Sequence, residues 1–122
     1  MALDNYTRSI FGWKIEGREN VHKFQTKLEK ENKNDYDDYC DFLVEDTMCG
    51  EYIYFGAHLV KYDADEGGEV ILNQQAIKEA TDEYYNFLKE HPELDKFLKK
   101  QIGKLTTSKE PQLFIFQQIM LI

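Results

Sequence analysis

Hydrophobic and polar positions recur along this chain with two different periods, and the periods separate strands from helices. In "SIFGWKIE", residues 9–16, the apolar Phe11, Trp13 and Ile15 interleave with Ser9, Gly12, Lys14 and Glu16, so a first strand is predicted, and Gly17 breaks it. "ENVHKFQTKLEKEN" then places Val21, Phe24 and Leu28 at helical spacing with charges on the remaining faces. The polar tract "NKNDYDDY" ends that helix, "CDFLVED" reads as a short strand, and "TMCG" as a turn.

Residues 51–62, "EYIYFGAHLVKY", form the longest alternating run. Ile53, Phe55, Ala57 and Leu59 make one face, and Tyr52, Tyr54, Gly56, His58, Val60 and Tyr62 the other. "DADEGG" supplies the next turn and "EVILN" a further strand; short turns between successive strands imply antiparallel pairing. A helix over residues 73–91 carries Ile77, Ala80, Tyr84, Phe87, Leu88 and His91 on one stripe. Pro92 suits the first turn of another, closed by Gly103. The last run, "QLFIFQQIMLI", is apolar on both alternating faces, which predicts a strand inside the sheet. The order is β-α-β-β-β-α-α-β: an α+β class, with a mainly antiparallel sheet of about five strands and helices on one face, read as one domain over residues 1–122.

At 122 residues and 42% hydrophobic content such a chain builds a core without a disulfide or metal staple. It has no apolar run of membrane-spanning length, and its first residues lack the apolar stretch of a signal peptide, so a soluble protein of the cytoplasm is expected. Cys40 and Cys49 lie among carboxylates, which disfavour a thiolate, and read as reduced bystanders.

Charge changes the picture more than composition does. The net charge is −8, yet residues 35–69 hold eleven acids against Lys61 alone, a local −10 that leaves +2 for the rest. Direct nucleic-acid binding would set this charge against phosphate; a cationic protein is the complementary partner.

Signals for catalysis are weak. With Asp63 first, "DADEGGEVILNQ" partly resembles an EF-hand loop, but Gly67 stands where Asp or Asn is needed and Gln74 where a bidentate carboxylate is, so a plain turn is expected. Glu31-Asn32-Lys33 has nuclease-like spacing on the tail of a helix instead of a strand. No nucleophile elbow, His-x-x-x-His pair or phosphate-binding glycine loop occurs, and no cofactor is called for. The expectation is a non-enzymatic interaction protein of the phage-inhibitor or toxin-immunity kind. Its partner would be cationic, with nucleic-acid-acting enzymes among the candidates, and membrane and nucleic acid are excluded as direct partners. The expected contact residues are Asp35, Tyr36, Asp37, Asp38, Tyr39, Asp41, Tyr52, Tyr54, His58, Tyr62, Asp63, Asp65 and Glu66, because tyrosine buries much area with little rotamer loss. A small-molecule or nucleotide pocket using His58 and the tyrosines is the alternative. A metal-dependent enzyme working through the central carboxylates ranks third. The role of the tyrosine face turns on whether helices cover it.

Overall fold

The computed structural model describes residues 3–31, 39, 42–46, 49–59, 72–106 and 108–121. The elements are β1 (Leu3–Glu16), α1 (Arg18–Glu31), β2 (Leu43–Glu45), β3 (Tyr52–His58), α2 (Gln74–Glu90), α3 (Pro92–Leu105) and β4 (Gln112–Leu121). The strands form one antiparallel sheet in the order β2-β3-β1-β4, so the class is α+β with four strands among the described residues. Of the expected "EVILN" strand, Leu72 and Asn73 are described and neither is in a strand; residues 69–71 lie outside the described residues.

Each helix buries the stripe its spacing dictates. α1 buries Val21, Phe24 and Leu28; α2 buries Ala76, Ala80 and Tyr84; α3 buries Leu94, Phe97, Leu98 and Leu105. These close over Trp13, Ile15, Ile53, Phe55 and Ala57, the face of β1 and β3 expected to be core. Asn73 caps α2 by accepting from the Ala76 N–H at 2.9 Å, an arrangement worth about 1 kcal/mol. Gly17 ends β1 with φ 90°, a left-handed conformation that favours glycine. Gly103 does not close α3: the helix runs on to Leu105 and is capped at Thr106. The Trp13 indole N–H donates to the Tyr84 hydroxyl at 2.7 Å, which fixes α2 on the sheet through one satisfied buried pair.

The expected position of the last strand is corrected. Among the described residues β4 pairs with β1 alone and stands at one end of the order instead of inside the sheet. Its apolarity on both faces has another cause, because the sheet is curled. Tyr54 is in register with Lys14 and Phe116 with Arg8, six residues apart on β1, or about 20 Å along a flat strand. Their rings nevertheless stack at 3.7 Å and 5°. Phe114 meets Tyr54 edge-on at 5.4 Å. The curl folds β4 across the face away from the helices and encloses a second small core of Ile10, Val44 and Tyr54, flanked by Tyr52, Phe114 and Phe116.

Gly12 and Gly56, opposite one another in β1 and β3, permit a close approach of the two strands. A Cβ on Gly12 would collide with the Phe55 carbonyl oxygen, and one on Gly56 with that of Phe11. Paired glycines at such a point let the backbones close and bend, as glycine kinks do at barrel corners.

Candidate functional site

The residues singled out in the sequence separate into distinct environments. Tyr39 is fully buried on the helix side, with its ring edge-on to Phe87 at 5.8 Å and to His91 at 5.3 Å. Tyr54 is buried on the opposite, concave side of the sheet against Phe114 and Phe116. Both rings are therefore packing elements. The tyrosine face of β3 is interior, covered by the sheet's own curl and not by helices.

Tyr52 and His58 lie at the two ends of β3, both half-buried. Tyr52 lines an opening of about 520 Å³ with Lys14, Glu16, Gly17, Arg18 and Glu51. Burial, with a smaller contribution from the Asp46 charge, pushes its hydroxyl above the ordinary tyrosine pKa. Lys14 is bound to Glu16 at 2.6 Å and sits 5.4 Å from the centre of the Tyr54 ring. Its ammonium is held above the usual pKa first of all by the hydrogen bond it donates to Glu16. His58 lines a smaller cavity of about 340 Å³ where β2 meets β4, with Arg8, Leu43, Val44, Glu45 and Gln118. Among the described residues no tyrosine lines the cavity with His58. Asp35, Tyr36, Asp37, Asp38, Asp41, Tyr62, Asp63, Asp65 and Glu66 lie outside the described residues, as does all of the EF-hand-like turn except Leu72, Asn73 and Gln74.

A strongly acidic surface groove among the described residues is one that sequence reasoning passed over. Glu79, Asp82, Glu83, Asn86, Phe87 and Glu90 follow helical spacing along α2 and, with Phe42, line a groove of about 550 Å³. Four carboxylates edge it and, among the described residues, no base lines it. Phe42 and Phe87 stack at 3.9 Å and 22° in its wall. Lys78 bridges Asp82 at 2.8 Å from outside the lining, and the Gln75 amide donates to Glu79 at 3.0 Å. Burial alone pushes the Glu83 carboxyl above its ordinary range. A carboxylate that is partly desolvated without a compensating charge gains from a cation placed beside it.

Tyr39 and Phe42, which bracket Asp41 in sequence, both pack on Phe87. The sequence signal for the groove was present as acids at i, i+3, i+4 and i+11 on α2, with Asn86 at i+7. Its solvent-facing position read as an ordinary solvated face.

Asp46 accepts from the Cys49 and Glu51 N–H groups at 3.2 and 3.0 Å and shapes the turn into β3. Among the described residues no group of three or more His, Cys, Asp or Glu side chains is arranged to hold a metal ion. No helix among them is long and apolar enough to cross a membrane. Compared with protein-family models, with curated proteins and with solved structures, the chain matches none.

Proposed function

We propose that this chain is a non-enzymatic acidic interaction protein that docks on a basic surface of another protein, with the α2 groove as part of the contact. The observation that carries this reading is the groove itself: four carboxylates around a stacked Phe42–Phe87 pair, with Glu83 partly desolvated. Guanidinium groups suit such a place, because a planar cation stacks on an aromatic wall and bonds carboxylates in a fork. The charge distribution points the same way, since residues 35–69 alone hold −10 and Tyr39 ties that segment to α2.

Nucleic-acid-acting proteins are the class of partner this chemistry fits, because their clefts are basic. Inhibitors from phage or mobile elements, and toxin-immunity proteins, act in this way in the cytoplasm of the host cell. The contact set in this reading is the groove acids with Asp35, Asp37, Asp38 and Asp41. Tyr39, packed on Phe87, supports the surface from inside.

Affinity capture tests the reading when wild type is compared with a variant carrying Asp82→Lys, Glu83→Lys and Glu90→Lys, each first checked for a native circular dichroism spectrum. The expected result is a basic protein retained by wild type and lost with the variant. Equal recovery by both contradicts the reading.

A further inference from the structure

We infer that the cleft between the end of α3 and the start of β4 binds a small phosphorylated ligand, held through the ammonium groups of Lys14 and Lys104. The topology opens this cleft. Among the described residues β4 pairs with β1 as far as Gly12, opposite Gln112, whereas β1 runs on to Glu16. Beyond that point the last turn of α3 and the segment leading to β4 face the free end of β1 across a cavity of about 450 Å³. A volume of this order suits a sugar phosphate or a mononucleotide. None of its lining residues lines the α2 groove, so the site is independent of the contact proposed above.

The chain is acidic overall, yet residues 96–109 hold five lysines and no acid, and Lys104 brings that run to the cleft. Among the described lining residues Glu16 is the one carboxylate, and Lys14 already pairs with it at 2.6 Å. The excess charge of the lining is therefore positive and sits on Lys104. No hydrogen bond or ion pair among the described residues engages Lys104 or the Gln112 side-chain amide. Two further donors line the cleft. The Thr106 hydroxyl oxygen accepts from the Ser108 N–H at 3.4 Å, which leaves its own O–H to donate. The Asn20 amide donates one hydrogen to the Glu16 backbone carbonyl at 3.2 Å and keeps the other. Ammonium, hydroxyl and amide donors beside the half-buried Phe114 ring match a phosphate with a sugar or base attached.

Gly103 points to the same place independently of charge. Glycine within a helix is destabilising relative to alanine, and a Cβ here would meet no protein atom within 4 Å, so packing does not require glycine. The residue lines the cleft, where a bare backbone lets a ligand approach closely.

Amide chemical shifts of the isotope-labelled full chain test this by titration with inorganic phosphate, adenosine monophosphate and adenosine at constant ionic strength. The two phosphates are expected to move the amides of Lys14, Lys104 and Gln112 saturably, with a Kd of about 1 mM or below for the nucleotide. Adenosine, which lacks the head group, should bind at least about tenfold more weakly. Lys104→Gln should weaken nucleotide binding about tenfold and leave the thermal midpoint unchanged, since the side chain is exposed. Gly103→Ala should weaken binding while raising stability. Glu16→Gln should tighten it, because the carboxylate that competes for Lys14 is gone. Absence of saturable shifts at these residues up to about 20 mM of either phosphate, or undiminished affinity in folded Lys104→Gln, would overturn the inference.

Discussion

The Gln118 side-chain amide donates to the Glu45 backbone carbonyl at 3.0 Å, although the two residues belong to strands at opposite ends of the sheet. Glu45 is in register with Ile53 and so with Ile15, whereas Gln118 is in register with Tyr6. Those positions are nine residues apart on β1, about 30 Å in a flat sheet. The contact exists because the sheet curls far enough for β4 to reach β2. Arg8 steadies the arrangement by donating from Nε to the Gln118 side-chain oxygen at 3.3 Å. The same curl makes Tyr54 a core residue and leaves the acidic surface to α2.

If the Gly12–Gly56 approach sets the curl, Gly12→Ala should cost about 2–3 kcal/mol or more, because a Cβ there meets the backbone of β3 and not a yielding side chain. Gly103→Ala is the matched control. That position is helical and exposed with open space around it, so the same chemical change should stabilise by about 0.5–1 kcal/mol. Urea midpoints compare the two. Opposite signs are expected, and a neutral Gly12→Ala would count against the glycine pair as the point of bending.

The Tyr54–Phe116 stack should be measurable as a coupling. Tyr54→Ala should destabilise by about 3–5 kcal/mol, since the ring is nearly fully buried. Phe116→Ala should cost less, roughly 1–3 kcal/mol, because that ring is half-buried. In a double-mutant cycle the coupling energy should be about 0.5–1.5 kcal/mol. Strict additivity would place the rings out of contact in solution.

Stability should fall in alkali through Tyr84. Burial is the main reason its hydroxyl is pushed up to about 12, against an ordinary value of 10.0. The unfolded chain releases this proton first, so the folded state binds more protons between those values. The contribution is intact below pH 10 and is lost as pH rises toward 12, by roughly 2–3 kcal/mol. Tyr84→Phe removes that part of the alkaline slope. It also leaves the buried Trp13 N–H without its acceptor, at a cost of about 1–3 kcal/mol near pH 8. Denaturant titrations at pH 8, 10 and 11.5 resolve the two effects.

How far the sequence disclosed this protein differs between fold and site. The helix stripes and the Ile53, Phe55, Ala57 face were legible because a single period fixes which side is buried. The place of β4 was not. Apolarity on both faces means burial on both sides in a flat sheet, yet here Phe114 and Phe116 are covered by a curl, while Ile115 remains exposed. The close approach that permits the curl joins Gly12 and Gly56, far apart in sequence, and no local pattern marks it. For the site, net charge was legible and its carriers were only partly so. Tyr39 reads as a surface tyrosine among aspartates until Phe87 and His91 are seen to enclose it. The α2 acids look solvated until Phe42 stacks on Phe87 beside them.

The central claim is that an acidic surface recognises a cationic protein, and the salt dependence of the captured complex tests it most directly. Charges at the edge of an interface act through a Coulomb attraction that is screened over about 10 Å at 0.1 M salt. The dissociation constant, measured by interferometry from low to moderate sodium chloride, should rise at least about tenfold, chiefly through slower association. The Asp82→Lys, Glu83→Lys, Glu90→Lys variant should show weak binding with a flat or reversed salt dependence. A wild-type affinity that is unchanged across the salt series would contradict the account.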